Sequence, residues 1–237
     1  MFAKLNQVRQ NFSLPLPKPK KAQSQYKFEW ADDLKTLKEI QKFRAIQFAD
    51  QFGITFENGL DQDLYDLDCE HAVLRDKWSN EIVAYTRLKL IQGHELSQSY
   101  SATEFDVSQF SHLSNIVEIG RTCVHPRYRN GRALSMLWLH LAPTVLWKMK
   151  AKHLMGCVSI RLEDNKARAY YTHQHLKKMS EKQSIDVKAK SAYEPAHPEY
   201  SFPQDERIPK LFDVYLKMNA RLSKQAFHDD VFNCLDY

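Results

Sequence analysis

The residues best suited to chemistry lie close together, between positions 116 and 133. Glu118 and Arg121 stand inside Ile116 to Val124, a run of β-formers that stops at Pro126, whose missing N–H suits the end of a strand. A strand followed at once by a helix is expected to be central, where a charge is costly unless it is paired or used. Both charges are therefore expected to face a cleft. Positions three apart in an ideal strand point to opposite faces, so a shared cleft requires a bulge or splay, which Gly120 would permit. Next, Arg127-Tyr128-Arg129-Asn130-Gly131-Arg132 sets three guanidinium groups and a glycine before the apolar run that opens at Ala133 and Leu134. A helix N-terminus flanked by arginines is an anion site.

Other chemistries find less support. No serine-histidine or cysteine-histidine arrangement stands out, and Cys69, Cys123, Cys157 and Cys234 lack CxxC spacing, so they read as reduced core thiols. The acidic loop with Asp61, Asp63, Asp66 and Asp68 suggests calcium at first sight. A calcium loop counted from Asp61 needs glycine and glutamate where Asp66 and Ala72 stand, so no metal is expected and the loop reads as a solvated turn.

The elements that must position these groups follow from patterning. Tyr26 to Trp30 reads as a strand, and Asp32 or Asp33 caps a helix to about Phe52 with Leu34, Leu37, Ile40 and Phe48 on one face. Arg44 falls on that stripe and reads as a snorkelling side chain. His71 to Arg75 and Glu81 to Leu90 form a hairpin, the second limb alternating apolar and polar and carrying Arg87. Residues 91–114 read as irregular and polar, 155–160 as a buried strand. Asp164 caps a helix to about Leu176, and residues 209–222 form a last amphipathic helix.

The 237 residues, 43% hydrophobic and 12% aromatic, can bury one substantial core, expected over residues 26–237. No membrane-spanning run or cleavable signal pattern is visible, so a cytoplasmic enzyme is expected. The net charge of +5 resides in the first 25 residues, through Lys4, Arg9, Lys18, Lys20 and Lys21 without any acid. Nucleic acid is therefore not an expected partner, since such binders carry basic patches on the folded body. In this Pro-rich tail Phe2, Leu5, Val8 and Phe12 recur at helical spacing. It reads as a disordered leader or, alternatively, as an anchor placing residues 1–20 on the inner membrane face.

The order strand, arginine-rich turn, helix, strand resembles the donor half of the GNAT superfamily. Further stretches resemble its acyl-carrier-protein-dependent branch: acyl-homoserine-lactone synthases, ornithine N-acyltransferases and long-chain N-acyl amino acid synthases. That branch shares an arginine on its first helix, an E-x-D-x-x-D loop, an arginine on its third strand and an E-x-x-R strand. Here Arg44, Asp61-x-Asp63-x-x-Asp66, Arg87 and Glu118-x-x-Arg121 match, with Asp61 departing from glutamate. The runs 100–106 (YSATEFD), 118–124 (EIGRTCV) and 232–236 (FNCLD) are similar to the ornithine members.

The resemblance implies an α/β (α+β) fold with a mixed, splayed central sheet flanked by helices. It also implies direct attack of an amino-acid amine, such as that of ornithine, on a thioester, with no resident cofactor. Glu118 is the candidate base, with Asp63 or Asp66 second. Backbone N–H groups near Thr122, Cys123 and Val124 would meet the oxyanion. Arg44, Asp61, Arg87 and Arg121 would shape the acceptor pocket as an ion network. Arg127, Arg129, Asn130, Gly131, Arg132 and Ala133 would hold the donor's phosphopantetheine. This loop matches R/Q-x-x-G-x-G/A imperfectly, which favours the single phosphodiester of acyl-ACP, acyl carrier protein being the expected partner, over a CoA pyrophosphate. Homoserine-lactone synthesis, acetyl-CoA transfer and a non-catalytic acyl sensor remain the alternatives.

Overall fold

The computed structural model describes residues 2–4, 24–162, 167–199 and 210–237. The chain forms two units. One comprises Ser13–Leu90 and Ile119–Ala151; the other comprises Met1–Phe12, Ile91–Glu118 and Lys152–Tyr237. The strand Ile116–Val124 belongs to the second unit as far as Glu118 and to the first from Ile119.

In the first unit an antiparallel meander joins Tyr26–Ala31, Glu70–Asp76 and Ile82–Ile91, with Ala31 opposite His71 and Val73 opposite Tyr85. The helix Leu34–Phe52 starts where the Asp33 carboxylate accepts from the Thr36 N–H at 2.9 Å, and it stops at Gly53, whose φ of 73° suits glycine. Leu34 is exposed rather than inward, because the buried stripe begins later and holds Ile40, Phe43, Arg44, Gln47 and Phe48. The strand Ile82–Ile91 is buried through Leu88 and does not alternate. Both of its faces are covered, so neither needs polar residues. A second helix, Arg132–Pro143, follows the arginine-rich turn.

The left-handed residue in the strand Ile116–Val124 is Arg121, with a φ of 52°, and not Gly120, where the bulge was expected. A left-handed non-glycine inside a strand is strained and persists where surroundings hold it.

In the second unit His153–Met155 pairs in parallel with Ile116 to Glu118 and antiparallel with Phe2–Lys4. Parallel and antiparallel pairings together give the mixed α/β character expected. Phe2–Lys4 is thus a strand, although spacing suggested a helix; a three-residue edge pairing needs no amphipathic period. The rest of the tail, and Asp164, lie outside the described residues. The single strand expected over 155–160 is two, His153–Met155 and Ser159–Arg161, and the latter pairs with Cys234–Asp236. Residues 91–114 are less polar than their composition suggests, since Leu96, Ala102, Phe105 and Val107 enter a core with Ile116 and Met155.

Gly93 in this region is set by contact. A Cβ there would overlap the backbone oxygens of Ser111 and Leu113. Gly93→Ala is expected to cost about 1–3 kcal/mol, read as a lower denaturant midpoint.

Candidate active site

A buried ion network occupies the first unit. Arg44 is 0% exposed and makes a two-pronged bond to Asp66, Nη1 to Oδ1 at 2.7 Å and Nη2 to Oδ2 at 2.8 Å. It also donates to the Asp61 carbonyl and lies 2.9 Å from the Asp61 carboxylate. Arg87 reaches Asp63 at 2.6 Å and Asp66 at 2.9 Å. Arg121 lies 3.3 Å from Asp63 and 3.5 Å from Asp61. Three guanidinium groups thus meet three carboxylates, which is how buried charges are made tolerable.

Two readings of the sequence change here. Arg44 does not snorkel, and the acidic loop is not a solvated turn, since Asp61 and Asp66 are 2% and 3% exposed. The loop folds inward at Asp61, Asp63 and Asp66 because each finds an arginine on a helix or strand, whereas Asp68 stays exposed beside Lys89. Patterning alone did not single out the polar partners. Gln41 donates to Asp66 at 3.0 Å, and Tyr85, with its hydroxyl 3.3 Å from Arg44, bonds His71 at 2.7 Å. His71 Nε2 meets the Asp66 carbonyl at 2.8 Å, so that nitrogen carries the proton and Nδ1 accepts from Tyr85. Burial lowers the His71 pKa, consistent with a neutral ring.

Burial alone would raise the Asp66 carboxyl, but the Arg44 hydrogen bond and charge bring it down to about 2. A depressed acid stabilises the fold above its ordinary pKa and loses that contribution as pH falls through its folded pKa. Between about pH 4 and 2 Asp66 is expected to give up roughly 2 kcal/mol. Melting curves between pH 7 and 2.5 should show a steeper Tm decline for the wild type than for Asp66→Asn.

The second unit holds Glu118, 7% exposed. Its carboxylate accepts from the Tyr100 N–H at 3.0 Å and from the Ser101 N–H and hydroxyl, each at 2.7 Å. Three of about four acceptor positions are filled, leaving one for a proton or a water. Asp63, the second choice as base, has one oxygen 2.6 Å from Arg87 and the other 3.3 Å from Arg121. Glu104, from the same short helix as Ser101, is 2% exposed and bonds Cys157. Its signal was present in the YSATEFD run, but no chemistry attached to it there.

Cys123 and Cys157 are unsuited to nucleophilic attack near neutral pH. Burial pushes the Cys123 thiol up to about 12 and raises Cys157 well above the ordinary range. Beside Cys123, the Thr122 hydroxyl pairs with that of Thr86 at 2.8 Å, and the Val124 carbonyl accepts from Arg129 Nε at 2.9 Å.

Within the arginine-rich turn, His125 Nδ1 accepts from the Arg127 N–H and Asn130 Oδ1 from the Arg132 N–H. Gly131 stands before the helix at φ 90°, and Ala133 is fully buried. Arg127 pairs with Glu81 at 2.9 Å, Arg129 lies 3.7 Å from Asp50, and Lys148 reaches Glu70 at 3.1 Å. These exposed pairs exchange readily for a charged partner.

Known proteins bear on this arrangement. Residues 43–139 match the family described as acetyltransferase (GNAT) domain. An L-ornithine N(alpha)-acyltransferase of Rhodobacter capsulatus is 28% identical over 233 residues, covering 89% of this chain and 87% of that protein. A protein of the same name from Agrobacterium fabrum is 26% identical, covering 74% of this chain and 65% of that one. The crystal structure of the AHL synthase LasI aligns with a TM-score of 0.40 at 16% identity, covering 56% of this chain and 71% of that one. The matched segment contains the ion network, Glu118 and the arginine-rich turn, so the part of the chain that holds the candidate site is similar to a GNAT acetyltransferase domain and most of the chain is similar to L-ornithine N(alpha)-acyltransferases.

Proposed function

We propose that this chain moves a fatty acyl group, plain or 3-hydroxylated, from acyl carrier protein to the α-amine of an amino acid, ornithine first among them. The observation that carries the reading is the likeness to an ornithine N(alpha)-acyltransferase over 89% of the chain. In the proposed reaction the amine nitrogen bonds the thioester carbon, the C–S bond breaks, and the sulfur leaves as the phosphopantetheine thiol. The ammonium first loses a proton, for which Glu118 is the proposed acceptor through its remaining lone pair. Backbone N–H groups around Thr122 to Val124 are assigned to the oxyanion, and the Arg44, Asp61, Asp63, Asp66, Arg87 and Arg121 network to shaping the acceptor side.

Donor binding is assigned to the turn from Arg127 to Ala133, whose exposed arginines suit an acidic carrier protein. The protein would work in the cytoplasm, where that donor is made, with residues 1–20 offering a contact to the membrane face. Among the described residues no helix is long and apolar enough to cross a membrane. Parallel assays with acyl carrier protein and CoA thioesters of one chain length, following thiol release, test the donor. Faster turnover with the carrier-protein thioester supports the reading. Equal or faster turnover with the CoA thioester would refute it.

A further inference from the structure

One buried hydroxyl of the first unit takes no part in the ion network. Thr86 stands in the strand Ile82–Ile91 and is 0% exposed. Its Oγ1 lies 3.2 Å from the Gly120 carbonyl oxygen, which can only accept, and 2.8 Å from the Thr122 hydroxyl. A threonine has one hydroxyl proton, so Thr86 donates to Gly120 and accepts from Thr122.

Gly120 and Thr122 flank Arg121, the left-handed residue of the strand Ile116–Val124. The peptide between Arg121 and Thr122 carries the Thr122 N–H, and the two bonds of Thr86 lie on either side of it. A non-glycine at a φ of 52° persists where its surroundings over-determine it. Two ties do so here. Asp63 joins the side chains, with one oxygen 2.6 Å from Arg87 and the other 3.3 Å from Arg121. Thr86, the residue before Arg87, ties the backbone. A clamp at the far end of a long side chain constrains the peptide planes little, whereas bonds at Gly120 and Thr122 constrain them directly. Further along, the His125 N–H donates to the Val83 carbonyl at 2.9 Å, which holds the chain just past the strand but beyond the irregularity.

We infer that Thr86 is a positioning residue for acyl transfer: its hydroxyl holds the strand on both sides of Arg121 and so sets the direction of the Thr122 N–H. The inference rests on the N-acyltransferase reading, which assigns that N–H to the oxyanion. Thr86, being fully buried, acts through the strand beside it. Negative charge reaches the thioester oxygen only as the amine attacks, so a misdirected donor is missed in the transition state more than in the ground state. Loss of the Thr86 hydroxyl therefore falls on kcat.

The test measures kcat, and KM for ornithine and for an acyl carrier protein or CoA thioester, whichever is turned over. The assay uses the full chain, wild type and as Thr86→Val, Thr86→Ser and Thr122→Val, with melting curves reporting folding. Thr86→Val keeps the side-chain shape and removes both bonds, and kcat is expected to fall about 10–10²-fold with both KM values within about two-fold. Thr86→Ser keeps the hydroxyl and is expected to stay within about three-fold of the wild-type kcat. Thr122→Val removes one bond and is expected to cost less, about 3–10-fold, and adding it to Thr86→Val should cost nothing more, since the shared bond is lost once.

A folded Thr86→Val at wild-type kcat would overturn the inference and leave the acyltransferase reading standing. So would a loss confined to KM, or a Thr86→Ser as slow as Thr86→Val, which would make the methyl group's packing the cause. If Thr86→Val does not fold, Thr122→Val decides, and an unchanged kcat there overturns the inference. A wild type that forms no N-acyl product from either thioester would overturn the broader reading and this inference with it.

Discussion

Arg44→Ala is expected to lower stability by about 3–5 kcal/mol, the largest effect of any single substitution in the first unit. The side chain is fully buried, and its removal leaves Asp66 without its bidentate partner and Asp61 without the nearest guanidinium. Gln41 still donates to Asp66, and Arg87 still approaches it, but neither replaces a fork of two charged bonds. Thermal and urea unfolding measure the loss, about 2–4 °C of Tm per kcal/mol for a chain of this length. Replacing the charges together, as Arg44→Met with Asp61→Asn and Asp66→Asn, should recover much of it, because the cost comes from a carboxylate left alone. If the single substitution costs under 1 kcal/mol, the buried network is not what holds this helix to its loop.

Glu118→Gln is expected to give the largest loss of activity, a factor on the order of 10²–10⁴ in turnover at constant acceptor concentration. An amide cannot accept the ammonium proton. It also turns one N–H₂ toward the Tyr100 and Ser101 donors, which the carboxylate now satisfies. That second effect costs stability, about 1.5–3 kcal/mol for a charged hydrogen bond, so kinetics must be read well below the melting temperature. The two effects separate in the pH profile. Loss of a base removes the acid limb of kcat/KM, whereas a loosened Tyr100–Ser101 segment lowers the whole curve. Near wild-type turnover across pH would remove Glu118 from the role and leave it as an anchor for the helix Ser101–Glu104.

Several parts of the molecule were legible before any coordinates. The capped helix to Phe52, the hairpin, the strand ending before Pro126 and the glycine before the second helix all rest on local rules of caps, alternation and breakers. Patterning alone misreads Arg44 and the acidic loop for a physical reason, although the resemblance implied the ion network they form. One arginine on an amphipathic stripe looks like a snorkel, and acids in a loop look solvated, until three-dimensional folding brings opposite charges within 3 Å of each other. Arg121 taking the left-handed conformation beside an available glycine is similarly non-local, since its guanidinium is held between Asp61 and Asp63.

The most direct test of the proposed chemistry is intact mass spectrometry of products formed from the protein, a panel of acyl carrier protein thioesters and pooled amino acids. The expected result is one dominant new mass, that of an N-acyl diamino acid, formed only when the acyl carrier protein thioester is present. A dominant N-acetylated product made from acetyl-CoA, or no acylated amino acid from either donor, would contradict it.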